Sequence, residues 1–221
     1  MSRIDVVPGI FASTWEELER KVGMVVPYVE WVQIEISDGT LVPGETLVKF
    51  DKLDQFDQLA RRSQGEGGSL SLEAHLMVAD PVKYIRPLAD SGFKRLIAHI
   101  ECQDPRHFLD QAKYESIEAC LAIDSPTDFE QIEPLLEEVD GVLVMTAEAG
   151  ETGRAFQPET VEKIRLIRQN FVDLPIEAEG GINNVTAKIV HEAGATRLVS
   201  SAYLFNGPDN IERAIERLKS S

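Results

Sequence analysis

Residues 31–39, WVQIEISDG, decide the fold. Their side chains alternate along an extended strand, so that Gln33, Glu35 and Ser37 share one face and apolar residues share the other. A buried polar row is costly unless its members find partners. The surrounding sequence indicates strands that alternate with helices, and in such folds both faces of a strand are covered. We therefore infer a functional site at the carboxyl end of this strand, where Asp38-Gly39 predicts a turn.

The composition is typical of a globular protein with a sizeable core. Of the 221 residues, 43% are hydrophobic and 27% are charged, and the net charge is −16. This charge argues against a nucleic-acid backbone or an anionic membrane surface as partner, but not against a small phosphate in a locally favourable pocket. Cys102 and Cys120 are expected to be reduced core residues. We find no signal peptide and no apolar run of membrane-spanning length, so a cytoplasmic location is expected.

Eight strand-then-helix units follow one another along the chain. This number of units predicts a (β/α)8 TIM barrel of the α/β class, with residues 1–221 as one domain. An open doubly wound sheet is the alternative, and it would require one or two predicted strands to be wrong. The predicted strands span residues 4–10, 31–38, 70–78, 95–100, 117–123, 141–146, 175–179 and 197–202. The predicted helices begin near residues 14, 52, 81, 105, 128, 158, 185 and 210, and the second spans residues 52–62.

Polar side chains stand at the carboxyl ends of three predicted strands. The second strand offers Gln33 and Glu35, and the third offers Glu73, His75 and Met77 on one face. The seventh offers Glu177 and Glu179 just before Gly180-Gly181. In a barrel such side chains point at one axis, and a histidine with two carboxylates binds divalent metals or transfers protons. Taken singly, each has a simpler interpretation: a solvated residue, a hydrogen-bonded core histidine, or glycines that merely end a strand.

Glycine-rich or small-residue segments follow the last three predicted strands. Residues 149–154, AGETGR, follow the sixth strand, Gly180-Gly181 follow the seventh, and Ser200-Ser201 lie in the eighth near its end. Loops at these places in a TIM barrel often present backbone N–H groups to a phosphate. Arg154 could add positive charge there, although Glu151 opposes it. An ordinary surface turn is the alternative interpretation of the AGETGR loop.

Eight segments together resemble the motifs of a known family in order and spacing. They are PGIF at 8–11, QIEISDG at 33–39, VP at 42–43, HLM at 75–77, AHIE at 98–101, MTAEAGETGR at 145–154, EGGI at 179–182 and SSA at 200–202. On these segments the chain resembles the ribulose-phosphate 3-epimerase family over essentially its whole length. The resemblance implies a TIM barrel of the ribulose-phosphate-binding type and an isomerase of pentose phosphate metabolism that acts on a small phosphorylated sugar.

The resemblance also implies a metal site and a pair of acid/base groups. The family holds a divalent metal with two histidines and two aspartates. Its aspartates take the C3 proton from one face of the sugar and return a proton on the other, through an enediolate that the metal stabilises. The four positions are here Gln33, Glu35, His75 and Glu179, with Glu35 and Glu179 as the catalytic pair. This oxygen-rich set favours Mg²⁺ or Mn²⁺ over Zn²⁺, if the chain retains a metal at all.

Further positions are carried over from the resemblance as contacts to the substrate and its phosphate. Gly9 replaces a serine that the family places near substrate and metal. A homo-oligomer is expected, whereas nucleic-acid and membrane partners are not. The expected substrate- and phosphate-binding residues are Gly9, Met77, Met145, Gly150, Gly153, Arg154, Gly180, Gly181, Ser200 and Ser201.

Three hypotheses about function stay open on the sequence. The first is an active but divergent sugar-phosphate epimerase or isomerase, which the carboxylates retained at Glu35 and Glu179 favour. The second is a catalytically inactive sugar-phosphate-binding or regulatory homologue, which the joint changes at Gly9, Gln33 and the phosphate loop favour. A misplacement of ~1 Å by the added methylene groups can cost about 100-fold in rate. The third is decarboxylase or lyase chemistry; no inward lysine ends a predicted strand, which argues against a Schiff base.

Overall fold

Eight parallel strands close into a barrel in chain order. The computed structural model describes residues 4–46, 56, 70–207 and 209–221. Within them the predicted TIM barrel is confirmed, because each strand pairs with the next and β8 closes the ring against β1. The strands are β1 Asp5–Ile10, β2 Trp31–Ser37, β3 Ser71–Met77, β4 Arg95–His99, β5 Glu118–Ile123, β6 Gly141–Met145, β7 Ile176–Glu179 and β8 Arg197–Ser200.

Helices pack around the outside of the barrel, and local sequence sets where several of them begin. Thr14 accepts a hydrogen bond from the Glu17 amide at the start of α1, and Asp104 accepts one from the His107 amide at the start of α3. The described helices are α1 Trp15–Val25, α2 Val82–Asp90, α3 Pro105–Tyr114, α4 Phe129–Ile132, α5 Val161–Asn170, α6 Thr186–Ala193, α7 Ala202–Phe205 and α8 Ile211–Lys219.

Two predicted element boundaries are wrong. The predicted eighth strand runs too far, because β8 stops at Ser200 and α7 begins at Ala202. The helix predicted from residue 128 is a short α4 that gives way to a 3₁₀ turn, Glu133–Leu135. Pro134 explains this change, since it has no amide hydrogen to donate to the preceding turn of an α-helix.

Other predictions concern the extent and setting of the chain. The helix predicted at residues 52–62 lies outside the described residues except for Phe56, and the prediction of one domain over residues 1–221 stays a prediction. Cys102 and Cys120 are buried and free, as expected. No helix in the described part of the chain is both long and apolar enough to cross a membrane.

Side-chain alternation sorts the strand residues into two cores. Most buried apolar residues pack between the strands and the helices, whereas Val7, Ile97, Cys120, Leu143 and Val199 belong to a separate apolar cluster inside the barrel. Polar residues lie toward either end of this inner cluster, and we name the two groups by their position. The carboxyl-end cluster is Gln33, Glu35, His75, His99 and Glu179, and the amino-end cluster is Glu73, Arg95, Glu177 and Arg197.

Candidate active site

Glu35, His75 and Glu179 converge from three strands at the carboxyl end of the barrel. The strand register places Glu35 directly beside His75. His75 Nδ1 lies 2.8 Å from Glu35 Oε2 and 3.2 Å from Glu179 Oε2. Glu35 and His75 are buried, and the Glu179 side chain is 17% exposed. The structure therefore brings together the three side chains whose convergence we predicted from strand alternation.

Gln33 connects the two glutamates. Its Nε2 donates to Glu35 Oε1 and to Glu179 Oε2, and both hydrogen bonds are 2.7 Å long. Its Oε1 is buried and has no hydrogen-bond partner, which is a costly state for an amide oxygen. A 180° rotation of the amide would exchange the two atoms and aim Oε1 at the carboxylates.

These residues fit a divalent cation. The nearest ligand atoms of Glu35, His75 and Glu179 all lie within 4.8 Å of one another. The unpartnered Oε1 of Gln33 offers a fourth donor after rotation of its amide. Two carboxylates, an imidazole and an amide oxygen form a donor set that suits Mg²⁺ or Mn²⁺ better than Zn²⁺.

The two glutamates differ in their affinity for a proton. Burial, together with repulsion from Glu179, raises the pKa of Glu35 to about 7. Burial also acts to raise the pKa of Glu179, but the charge and hydrogen bond of His75 outweigh it, so that this pKa is lowered. Burial would lower the pKa of His75, but the two carboxylates raise it well above its ordinary value. Such a split suits one carboxyl to donate a proton and the other to accept one near neutral pH.

Gly9 makes room for the side chain at position 35. A Cβ atom at Gly9 would lie 3.2 Å from Glu35 Oε1 and 3.0 Å from Val199 Cγ1. A larger residue at position 9 would therefore have to displace Glu35 or Val199 within a packed interior. The glycine that replaces the expected serine and the glutamate that replaces the expected aspartate are linked by this contact.

A cleft opens at the carboxyl-end cluster, and both Glu35 and Glu179 line it. The loops after β6, β7 and β8 form much of its wall. Eight of the ten residues predicted to contact the substrate lie along it, namely Met77, Met145, Gly150, Gly153, Arg154, Gly180, Gly181 and Ser201.

The other two predicted contacts, Gly9 and Ser200, are placed differently. Gly9 lies behind Glu35, as described above. Ser200 is buried, and its hydroxyl donates to the Ile182 carbonyl at 2.9 Å. Strand alternation gives the reason, because the neighbouring Val199 belongs to the inner cluster and Ser200 must then point to the opposite face. The Ser200 side chain therefore faces away from the cleft, and a contact of its backbone with the substrate stays a prediction.

Gly180 and Gly181 are required by the packing of the backbone itself. Their φ angles are +113° and +64°, and a Cβ atom would lie 2.5 Å from Ala147 N and 2.7 Å from Phe156 N, respectively. The two glycines therefore let the loops after β6 and β7 pack together beside the cleft. A substitution at either one would disturb these loops whether or not a ligand binds there.

Arg154 is the one cation among the described residues that line the cleft. It forms a close ion pair with Glu148, and its Nε lies 3.5 Å from Glu151. Neither Arg154 Nε nor the Tyr203 hydroxyl has a hydrogen-bond partner, although both atoms are buried. Two such donors beside the cleft suit a ligand that carries anionic or hydroxyl oxygens.

The sequence analysis missed two parts of the barrel interior. His99 joins the carboxyl-end cluster through His75, and alternation along β4 could have shown that it points inward. In the amino-end cluster, Glu73 and Glu177 were noted on the faces of His75 and Glu179, but their partners Arg95 and Arg197 were treated only as the first residues of strands. Arg95 stands two residues before the inward Ile97 on β4, and Arg197 stands two residues before the inward Val199 on β8. This spacing was the signal that both arginines also point inward.

Comparisons with known proteins agree with this architecture. The family model described as "Ribulose-phosphate 3 epimerase family" matches residues 5–205. Ribulose-phosphate 3-epimerase of Schizosaccharomyces pombe is 29% identical over 227 residues, which cover 100% of this chain and 95% of the relative. Ribulose-phosphate 3-epimerase of Chlamydia pneumoniae is 32% identical over 183 residues, which cover 80% and 76%. The crystal structure of 3-hexulose-6-phosphate synthase from Salmonella typhimurium matches with a TM-score of 0.73 at 13% identity, over 98% of this chain and 97% of that one, and supports the fold alone.

Proposed function

Because the chain belongs to the ribulose-phosphate 3-epimerase family, we propose that it is a divergent epimerase that inverts C3 of a pentose phosphate or a related sugar phosphate. Glu35 and Glu179 transfer the protons, and the intermediate is an enediolate. The observation that carries this proposal is the pair of carboxylates in the cleft with opposite shifts of their pKa values.

The placement of the two glutamates suits an inversion. Inversion requires one group to remove a proton from one face of a carbon and a second group to deliver a proton to the other face. Glu35 comes from β2 and Glu179 from β7, with β1 and β8 between them in the barrel. Near neutral pH Glu179 is the ionised acceptor and Glu35 holds the proton that it delivers. The two roles exchange in the reverse reaction.

Glu35, His75 and Glu179 are the residues that would hold a divalent metal, together with Gln33 Oε1 after rotation of its amide. When bound, such a metal supplies electrostatic stabilisation of developing negative charge. Without it, Gln33 Nε2 donates to the two carboxylates and reduces their mutual repulsion. Mg²⁺ and Mn²⁺ are the metals we propose, on the chemistry of the donor set.

The phosphate of the substrate is assigned to the loop walls of the cleft. Backbone N–H groups of Gly150, Gly153 and Ser201 are the proposed donors, and Arg154 Nε and the Tyr203 hydroxyl supplement them. Because acidic neighbours neutralise Arg154, hydrogen bonding contributes more to recognition than net charge does. A small phosphorylated sugar is therefore the proposed partner. The cytoplasmic location and the homo-oligomer stay predictions.

A non-catalytic sugar-phosphate-binding protein is the second candidate. The observation that favours it is that Gln33 Nε2 engages both carboxylates on which the proposed reaction depends. If that arrangement persists with substrate bound, neither glutamate can approach C3 freely. Binding without proton exchange at C3 is the behaviour that this candidate predicts.

Proton NMR of D-ribulose 5-phosphate in D₂O, with the purified chain and with chelator, Mg²⁺ or Mn²⁺ in turn, tests the proposal. Paramagnetic metal is chelated before the spectrum is read. We expect protein-dependent exchange of the C3 hydrogen and formation of xylulose 5-phosphate. Glu179→Gln should abolish both, whereas Glu130→Gln, at an exposed position, should leave both unchanged.

The possible outcomes separate the candidates. Exchange without xylulose 5-phosphate would contradict epimerisation, although it would retain proton abstraction. Binding of ribulose 5-phosphate with no exchange under any metal condition would favour the second candidate. Exchange that persists in Glu179→Gln would reject the role given to that carboxylate.

A further inference from the structure

A chain of hydrogen bonds leads from the carboxyl-end cluster toward the rim of the barrel. His75 Nε2 lies 2.8 Å from His99 Nε2, and His99 Nδ1 lies 3.0 Å from Glu101 Oε2. Both imidazoles are buried, and the Glu101 side chain is 24% exposed. The two rings are 16° from parallel, with centroids 5.0 Å apart. Because the Nε2 atoms are much closer than the centroids, the rings meet edge to edge, as an in-plane hydrogen bond requires.

Glu101 anchors the outer end of this chain as an acceptor. Burial acts to raise its pKa, but hydrogen bonds and charge from His99, with further hydrogen bonds from Thr127 and the Asp124 amide, hold the pKa at about 2. The Asp124 amide donates to Glu101 Oε1 at 3.0 Å, so the second oxygen is also engaged. An ionised carboxylate only accepts hydrogen bonds, and His99 Nδ1 must therefore carry a hydrogen.

The tautomer of His75 follows from that of His99. Two Nε2 atoms at 2.8 Å share one hydrogen between them. In a neutral His99 with its hydrogen on Nδ1, Nε2 is the acceptor, so the shared hydrogen belongs to His75 Nε2. His75 Nε2 therefore keeps its hydrogen, and Nδ1, which lies 2.8 Å from Glu35 and 3.2 Å from Glu179, is the ring nitrogen that can exchange a hydrogen for a cation.

We propose that His99 and Glu101 are positioning residues that hold a hydrogen on His75 Nε2, so that Nδ1 is the nitrogen left to bind a cation between Glu35 and Glu179. Their purpose in catalysis rests on the proposed function, whereas the tautomers themselves can be measured without a substrate. In many metal sites a carboxylate accepts a hydrogen bond from the metal-binding histidine and so orients its ring. Here His99 lies between the carboxylate of Glu101 and His75 and transmits the same effect.

Replacing Glu101 with glutamine should release this control. An amide can donate as well as accept, so the reversed chain becomes available, with a hydrogen on His99 Nε2 and a bare Nε2 on His75. In the reversed chain His75 Nε2 is bare, so Nδ1 holds the one hydrogen of the neutral ring and cannot act as a ligand while it does so. The nearby carboxylates favour this reversed state because they accept that hydrogen.

¹⁵N NMR of the full chain with labelled histidine, recorded in the presence of chelator, reads these ring nitrogens directly. In the unaltered chain we expect a hydrogen on Nδ1 but none on Nε2 of His99, and a hydrogen on Nε2 of His75. Glu101→Gln should populate His99 with a hydrogen on Nε2, and the control Glu130→Gln should not. A hydrogen on His99 Nε2 in the unaltered chain would overturn the proposal, as would a Glu101→Gln spectrum identical to that of the unaltered chain.

Calorimetric titration with Mn²⁺ measures the consequence for the site. We expect Glu101→Gln to weaken Mn²⁺ binding about 10- to 100-fold, and Glu101→Asp, which keeps the carboxylate, to weaken it less. Equal affinities in all three proteins would overturn the positioning role. If Glu101→Gln does not fold, the spectrum of the unaltered chain and the titration of Glu101→Asp still decide. If the expected tautomers are found in a chain that shows no C3 exchange, the proposed function is rejected and the positioning role stands.

Discussion

The two ends of the barrel interior contain the same kinds of side chain in opposite states of charge balance. At the amino end, Arg95 donates to Glu73 at 3.1 Å and to Glu177 at 3.0 Å, and Arg197 donates to the same two oxygen atoms. Both guanidinium groups also lie over the ring of Trp31, 4.7 and 5.1 Å from its centroid. Two guanidinium groups thus meet two carboxyl groups, so each acid has cationic partners, although burial and the charge of Glu177 raise the pKa of Glu73 to about 8.

The carboxyl-end cluster lacks this balance. Glu35 and Glu179 face one imidazole and one neutral amide, His75 and Gln33, so a proton or a cation has to complete the group. A balanced buried network holds the scaffold together, because removal of any member leaves an uncompensated charge. An unbalanced network takes up and releases protons, which is the property that acid/base chemistry uses.

Matched substitutions on β7 test this difference, and Glu179→Gln should have the largest effect. It removes the proposed proton acceptor and keeps the shape of the side chain, so we expect kcat to fall about 100- to 10,000-fold. Steady-state kinetics with ribulose 5-phosphate and urea unfolding measure the two properties. The free energy of unfolding should fall less than in Glu177→Gln, because the repulsion from Glu35 that is removed offsets part of the lost contacts with His75 and Gln33. A large loss of stability with normal turnover would reverse our assignment of the two clusters.

Glu177→Gln, two residues earlier on the same strand, should act on stability instead. It leaves Arg95 and Arg197 with Glu73 as the one remaining carboxylate inside the barrel, and we expect a loss of about 3 to 5 kcal/mol in the free energy of unfolding. Urea unfolding monitored by circular dichroism measures it. The fraction that stays folded should turn over normally. A variant as stable as the unaltered chain would show that the amino-end cluster contributes little to the scaffold.

Gly9→Ser probes the packing behind Glu35. Because the added atoms meet Glu35 Oε1 and Val199, the carboxylate should move, and a shift of ~1 Å can lower kcat/KM about 100-fold. Gly23→Ser is the control, since a Cβ there meets nothing within 4 Å. The double variant Gly9→Ser/Glu35→Asp should recover part of the loss, because the shorter acid vacates the space. Additive losses in the double variant would contradict the link between the two positions.

The pH dependence of stability should report on Glu35. Its pKa in the folded chain, about 7, lies above the ordinary value of 4.5. The protonated form therefore stabilises the fold below the ordinary pKa, and this contribution is lost as the pH rises through 7. With chelator present, the free energy of unfolding should fall between pH 5 and 8.5 by on the order of 1 to 3 kcal/mol more in the unaltered chain than in Glu35→Gln. Identical pH profiles would show that Glu35 is ionised throughout.

The smallest expected effect concerns the rim of the cleft. Glu148→Gln and Glu151→Gln each release Arg154 from an exposed acidic partner. Because pairs at the surface are worth about 0.2 to 1 kcal/mol, binding of ribulose 5-phosphate should strengthen by no more than about 5-fold per substitution. Calorimetry at low and high salt measures this, and the gain should shrink in high salt. Weaker binding in both variants would place the phosphate away from Arg154.

Much of the architecture could be predicted from local patterns. Alternation within β2 identified Gln33 and Glu35 as inward residues, and the same rule applied to His75 and Glu179 predicted their convergence. The rule was not followed from Val199 to Ser200, whose side chain points away from the barrel interior, and the eighth strand was predicted too long. It was not applied to His99, whose ring completes the chain between His75 and Glu101.

Local periodicity and motifs in order were enough to predict the order of strands and helices, most residues that face the barrel interior and membership of the epimerase family. Which charges balance one another depends instead on contacts between residues far apart in the chain. Gln33 and Glu179 are separated by 146 residues, and Arg197 and Glu73 by 124. Closure of the barrel brings these distant residues within hydrogen-bonding distance. That closure makes one end of the interior a neutral support and leaves the other end with two carboxylates that need a proton or a cation.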